Sequence, residues 1–250
     1  INATVGDLEE NVESIRRFIY ESKKKNASLV IFPELALTGY PPQDLLYVEG
    51  FVEENKRLLE EIVKETVGIT TVVGFVDYDG SRKGSDGTEV KYNAAAVIKN
   101  GRLIGVQYKT LLPTYDVFDE DRYFMPAIEH RVFDIGNASI GVEVCEDLWD
   151  ESYDVKVTSI LAGKGANLIV NLSASPFYAG KRFERQRLLQ EKAKESRVPI
   201  FLVNCVGGQD ELVFDGNSLA VDSSGNLIAI GKQFEEDLVV TDIDLEKGLA

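Results

Sequence analysis

The sequence predicts a mixed α/β fold, α/β in class with α+β-like mixed sheets, built as one domain. Apolar residues at helical spacing alternate along the chain with short apolar or alternating runs of strand length. Asn100-Gly101, between Val97-Ile98 and Leu103-Ile104, is a two-residue hairpin turn. Hairpins combined with strand-helix units suit a mixed sheet better than a purely parallel one.

In chain order, Asp7 caps a helix whose Leu8, Val12, Ile15 and Ile19 recur at helical spacing, and a strand follows at residues 29–32. A second helix is expected over residues 44–66, carrying Phe51, Leu58, Leu59, Ile62 and Val63, before a strand at 69–76. Residues 79–91 are rich in glycine and serine and are expected to form an exposed loop between strands rather than a domain linker. An alternating run, Ala138-Ser-Ile-Gly-Val-Glu-Val144, predicts a strand with Ile140, Val142 and Val144 on one face. Beyond it come a helix near 155–164, a strand at 168–172, a helix at 183–196 and a strand at 200–204. Strands around 218–221, 227–230 and 238–243 close the chain, and no internal repeat is visible. Gly207-Gly208 has no Gly-Lys-Ser/Thr after it and is expected to be a turn, not a phosphate cradle.

With 250 residues, 44% of them hydrophobic, the chain has material for a substantial core. A formal charge of −15 argues against binding nucleic acid or an anionic membrane, since both need clustered cations. No apolar stretch reaches the roughly 18 residues of a membrane span. Two cysteines, Cys145 and Cys205, suggest neither a disulfide framework nor a zinc motif, so a reducing cytoplasm is the expected setting and no metal site is expected.

Cys145 stands where the 138–144 strand runs out and acidic residues begin, and loops at such sheet rims carry chemistry. Its ordinary alternative is a buried structural cysteine. Two other apolar runs end in the same manner: Leu29-Val-Ile-Phe-Pro-Glu34 in a carboxylate, and Gly105-Val-Gln-Tyr-Lys109 in an ammonium before a proline-stopped loop. Strand ends in an open α/β sheet converge on one crevice, although Glu34 could also be a turn carboxylate and Lys109 a surface side chain. A thiol with pKa near ~8.5 needs a base or a cation to attack an amide. Glu34 can take its proton, and Lys109 can stabilise the charge that grows on the carbonyl oxygen. The competing Cys-His arrangement has one candidate, His130, in a polar turn with no orienting partner nearby in sequence.

Glu34, Lys109 and Cys145 in this order resemble the Glu-Lys-Cys triad of the nitrilase or carbon-nitrogen hydrolase superfamily. Phe32-Pro-Glu-Leu-Ala-Leu-Thr-Gly-Tyr-Pro-Pro42, Tyr92-Asn-Ala-Ala-Ala96, Val144-Cys-Glu-Asp-Leu-Trp149, Asn171-Leu-Ser-Ala-Ser-Pro176 and Gly207-Gly-Gln-Asp-Glu-Leu-Val-Phe-Asp-Gly216 narrow it further. Together they are similar to the glutaminase domains of glutamine-dependent NAD synthetases, over essentially the whole chain. The resemblance implies a nitrilase-like four-layer α-β-β-α sandwich over residues 1–250, a homo-oligomer, and hydrolysis of L-glutamine through a cysteine thioester. It implies no cofactor for this domain. ATP and Mg would belong to an ATP-dependent synthetase domain that consumes the ammonia, and that domain, with a short N-terminal piece, is expected to be missing from the given sequence.

By the same resemblance Glu120 is an accessory catalytic glutamate, with a solvated acidic loop as its alternative. Tyr40, Tyr115 and Phe118 would line a glutamine pocket, or serve only packing. Glu146 and Ser175 would contact the amino acid's polar groups. Lys181 stands where some relatives have arginine, which weakens its match as a carboxylate contact, because arginine is bidentate and lysine a point charge. The rest of the run Lys181, Arg182, Arg185, Arg187 reads as a solvated helix face. Two other functions fit the triad less fully: an amidase for another small amide, and a catalytically silent scaffold.

Overall fold

The computed structural model describes residues 1–83, 87, 89–136 and 138–245. Asp7 caps α1 (Leu8–Lys24), its carboxylate accepting the Glu10 N–H, and Leu8, Val12, Ile15 and Ile19 form the buried face. After β1 (Leu29–Ile31), the single helix expected over 44–66 is split. A 3-10 turn, Gln43–Tyr47, is followed by extended Val48 and left-handed Gly50 (φ +82°), and only then does α2 (Phe51–Glu65) begin. A left-handed residue cannot continue a right-handed helix, so glycine marks the break.

β2 (Thr70–Lys83) and β3 (Glu89–Lys99) form a long antiparallel hairpin. The loop expected at 79–91 is therefore largely strand: Asp79 pairs with Val90, and residues 84–86 and 88 lie outside the described residues. Asn100 (φ +50°) and Gly101 (φ +75°) make the predicted tight turn into β4 (Arg102–Tyr108). The remaining elements are β5 (Val132–Asp134), β6 (Ser139–Val144), α3 (Val157–Gly163), β7 (Leu168–Ser173), α4 (Lys181–Ser196), β8 (Ile200–Asn204), β9 (Val206–Gln209), β10 (Leu212–Asp215), β11 (Leu219–Val221) and β12 (Leu227–Ile230).

Gly207 and Gly208 are not a turn but part of β9, which pairs with β10; the turn falls at Asp210 (φ +50°). The strand expected at 238–243 does not form. After β12 the chain is drawn back toward β10 by Phe234 N–H to Asp215 O and Asn217 N–H to Lys232 O, so 238–243 gains no ladder partner.

Two main sheets result, in the orders β1-β2-β3-β4 and β12-β11-β8-β7-β6-β5, with β1/β2 and β6/β7/β8 parallel and the other pairs antiparallel. The period of two along each strand separates the cores between the layers. Ala94 and Ala96 of β3 face α1 and α2, packing with Val12, Ile15, Leu59 and Ile62. Ala95 and Val97 face the other sheet, meeting Ile140, Val142, Val144, Val170 and Leu172. That sheet's far side, through Ile169, Ile200 and Leu202, packs on Leu161 of α3 and on Leu189 and Ala193 of α4. The layers are thus α-β-β-α, as expected. Among the described residues no helix is long and apolar enough to cross a membrane.

Candidate active site

β1, β4 and β6 each stop just short of a residue singled out by the sequence, and the facing sheets bring those ends together. Pro33 ends the first ladder, and Leu35 then takes a left-handed conformation (φ +46°), which turns Glu34 inward. Gly74 on β2 permits this: a β-carbon there would lie 2.4 Å from Leu35 N and from Pro33 O. Lys109 follows β4 and stays in register, its N–H bonded to Asn93 O.

Glu34, Lys109 and Glu120 are 2%, 1% and 5% exposed, so water does little to screen them. Lys109 Nζ donates to Glu34 Oε1 and to Glu120 Oε1, each at 2.7 Å. Tyr40 donates its hydroxyl to Glu120 Oε1 at 2.7 Å, and Asn93 Nδ2 donates to Glu34 Oε1 at 2.7 Å. Glu34 Oε2 accepts the Ala174 N–H at 2.9 Å, across the gap between the sheets. Burial alone would depress the Lys109 ammonium, but Glu120 and Glu34 outweigh it and hold the group well above its ordinary value. Burial raises the Glu120 carboxyl; Lys109 opposes this and Glu34 adds to it. Glu120 is therefore no solvated loop carboxylate but a buried partner of Lys109.

Cys145 begins a 3-10 turn with φ +43°, a conformation that costs a non-glycine residue about 1–3 kcal/mol. It is partly exposed, whereas Cys205 is buried. Burial of its thiol pushes the Cys145 pKa well up and Glu34 adds to this, while Lys109 and the Ala174 N–H pull it down. The thiol thus rests protonated, with the Glu34 carboxylate among the groups that act on it. Asp147 fixes the turn: Oδ1 accepts the Thr110 and Leu111 N–H groups at 2.9 and 2.8 Å, and Oδ2 accepts that of Val144 at 3.0 Å. One buried carboxylate so ties the segment after Lys109 to the residue before Cys145.

Outward from the thiol, Glu146 accepts hydrogen bonds from Tyr115 (3.0 and 2.9 Å) and Tyr153 (3.1 Å). Burial raises its carboxyl, and the two hydroxyls oppose the rise. Phe118 packs edge-on against Tyr115 at 5.5 Å. Lys181 Nζ lies 3.7 Å from the Trp149 ring centroid; burial and Arg185 lower its pKa, and Cys145 lies among the groups that oppose this. The backbone of Ser175 is held by Asn204 at 2.8 Å and by Arg185 at 3.3 Å. Glu34, Lys109, Glu120 and Tyr40 thus share one buried hydrogen-bonded cluster, Tyr115 and Glu146 a second with Phe118 packed on Tyr115, while Ser175 is placed by backbone bonds and Lys181 by its contact with Trp149.

Arg185 departs from the expected solvated face. Fully buried, it donates to Asp215 at 3.0 Å and to the Ser175 and Gly216 carbonyls. Only its i, i+4 spacing from Lys181 hinted at an inward aspect. His130 pairs with Thr110 Oγ1 at 3.1 Å, and burial and Lys164 lower its pKa. It shares no hydrogen bond with Cys145. Tyr153, Asn93 and Asp147 carry no signal that singles them out in the sequence, although Asn93 lies within Tyr92–Ala96 and Asp147 within Val144–Trp149.

Beneath the nucleophile, Glu143 accepts from Thr158 (2.9 Å) and Asn171 (3.2 Å), and burial raises its carboxyl to about 8. Between its ordinary range and that value the folded chain holds a proton the unfolded chain has released. Stability from this group is thus greatest at low pH and falls as pH rises to about 8. Glu143→Gln is expected to flatten that fall. With each unit equal to about 1.4 kcal/mol, its gain over the native chain at pH ~8 relative to pH ~5 should reach a few kcal/mol. Urea melts at the two pH values check this, and parallel profiles would contradict it.

The Carbon-nitrogen hydrolase family model matches residues 1–248. The chain is 43% identical over its full length to a glutamine-dependent NAD(+) synthetase of Thermotoga maritima, and 41% identical over 99% of its length to one of Synechocystis. It covers 42% and 46% of those proteins, so it spans less than half the length of these curated relatives. In structure it is similar to glutamine-dependent NAD+ synthetase from Acinetobacter baumannii, with TM-score 0.85, 34% identity, and coverage of 96% of this chain and 43% of that one. An amidase of the nitrilase superfamily from Nesterenkonia superposes with TM-score 0.82 at 23% identity, over 97% of this chain and 87% of its own, which shows the shared fold.

Proposed function

The chain belongs to the carbon-nitrogen hydrolase family, and from that premise we propose that it hydrolyses the side-chain amide of L-glutamine to glutamate and ammonia through a thioester on Cys145. The observation that carries this reading is the Lys109 ammonium, held 2.7 Å from both Glu34 and Glu120 in the crevice that holds the Cys145 thiol. Burying such a set costs several kcal/mol per ion, which makes a purely structural role a poor account of it.

Glu34 takes the thiol proton as sulfur adds to the amide carbon, and Lys109 stabilises the oxyanion. Glu34 then returns the proton to the departing ammonia, and water, deprotonated by the same carboxylate, cleaves the thioester. Glu120, itself bonded by the Tyr40 hydroxyl, holds Lys109 in place. At the other end of the crevice the Glu146 carboxylate suits the substrate's α-ammonium, and Lys181, with Ser175, suits its α-carboxylate. Tyr115 and Phe118 cover the methylene stem. The relatives' name, glutamine-dependent NAD(+) synthetase, supports a further step in which a synthetase domain uses the ammonia to make NAD; ATP and nicotinic acid adenine dinucleotide as that domain's substrates belong to the proposal. A cytoplasmic homo-oligomer fits this reading, and both cysteines are free thiols.

Ammonia release should favour glutamine over asparagine, carbamoyl amino acids and simple amides. Asparagine, one methylene shorter, should lose about 10- to 200-fold in kcat/KM. Comparable release from simple amides would favour a general amidase, and none from any amide a silent scaffold.

A further inference from the structure

Asn93 lies on β3 with Ala95 and Val97, on the face turned to the other sheet, where that apolar row reaches the crevice. It is 1% exposed. Its Nδ2 donates to Glu34 Oε1 at 2.7 Å and reaches Glu120 Oε2 at 3.4 Å, while its Oδ1 is buried and has no partner among the described residues. A buried amide placed for packing alone would satisfy its oxygen as well. Turned the other way, it would set that oxygen against a carboxylate oxygen. The observed orientation gives up an acceptor to keep a donor on the carboxylates.

The two oxygens of Glu34 are consequently unequal. Oε1 accepts from both Lys109 and Asn93, whereas among the described residues Oε2 accepts only the Ala174 N–H, a group that also draws the Cys145 thiol pKa down. We propose that Asn93 is a positioning residue that saturates Glu34 Oε1 and so directs the thiol proton to Oε2. In that step the S–H bond breaks, its proton binds Oε2, and the electron pair left on sulfur forms the bond to the amide carbon, whose π pair moves to oxygen. Besides Asn93, the titratable groups that interact electrostatically with Glu34 are Lys109, Glu120, Tyr40, Cys145, Glu146 and Cys205, and Asn93 alters the donor count on Glu34 without adding charge.

The proposal rests on the thiol-base reading of the site but not on the identity of the amide, so the test uses a substrate-free probe. The rate at which iodoacetamide alkylates Cys145, followed by peptide mass to separate it from Cys205, should fall on the acid side as the site's carboxylates protonate. Asn93→Ala should move the midpoint of that fall upward by about one pH unit, because a carboxylate losing a donor binds its proton more tightly. In glutamine hydrolysis it should lower kcat by about 10- to 100-fold, the usual effect of removing a supporting hydrogen bond, with KM nearly unchanged. Asn93→Ser, which keeps a polar group in the space but cannot span both carboxylates, should shift the midpoint the same way and serves if the alanine variant unfolds. A midpoint that stays put or moves down in a folded variant, with only Tm reduced, overturns the proposal. Failure of the glutamine reading looks different: the native chain is alkylated with its acid-side fall intact yet releases no ammonia.

Discussion

Cys145→Ala is expected to lose ammonia release from glutamine by about 10⁴-fold or more, as when the nucleophile of a concerted catalytic set is removed. Little stability should go with it. The residue is partly exposed, its backbone bonds are untouched, and the Asp147 contacts that hold the turn lie on its neighbours. Paired measurements of glutaminase turnover and Tm check both halves. Undiminished hydrolysis would remove Cys145 from the mechanism. A collapse of Tm would instead make it a packing residue and leave the activity loss uninterpretable as chemistry.

Lys109→Met should act on both fold and chemistry. Methionine fills the space but leaves two buried carboxylates without their shared cation, and breaking a buried pair in this way typically costs about 3–5 kcal/mol. Burial already raises Glu120, so one carboxylate should respond by keeping a proton. Adding Glu120→Gln to Lys109→Met removes one of the stranded charges and should recover part of the stability, but none of the turnover, since the oxyanion still lacks its ammonium. Urea denaturation of the two variants with ammonia assays separates the effects. A single variant as stable as the native chain would mean that the ion cluster is more hydrated than its burial indicates.

Much of this could be seen in the residues because strand-end chemistry announces itself. Phe-Pro-Glu34, Tyr-Lys109 and Val-Cys145 each change from apolar to ionisable at one step, and the helices around Ile15 and Leu189 follow their periodicity. The pairing of two sheets was not visible from periodicity, since Ala94 and Ala95 look alike in sequence and only the fold sends them to different cores. The split before α2 turned on the left-handed Gly50, and the missing strand at 238–243 on backbone bonds made to residues 215 and 217. In the site, Arg185 is not legible as an inward residue because a basic run on a helix ordinarily faces water, and the charge that draws it inward, Asp215, is 30 residues away. Asn93 and Asp147 carry no titration or nucleophile signature. What they do depends on which carboxylate or N–H groups the fold delivers to them.

In the proposed mechanism Cys145, and not merely a cysteine, is made nucleophilic by Glu34 and Lys109 toward a glutamine-shaped electrophile. A diazo-ketone analogue of glutamine tests it directly when the chain is digested and both cysteine peptides are weighed. Adduct is expected on Cys145, with protection by glutamine and loss of labelling in Glu34→Gln, and none on Cys205, whose thiol burial pushes up to about 12. Equal labelling of Cys205, or labelling of Cys145 that glutamine does not slow, would contradict it.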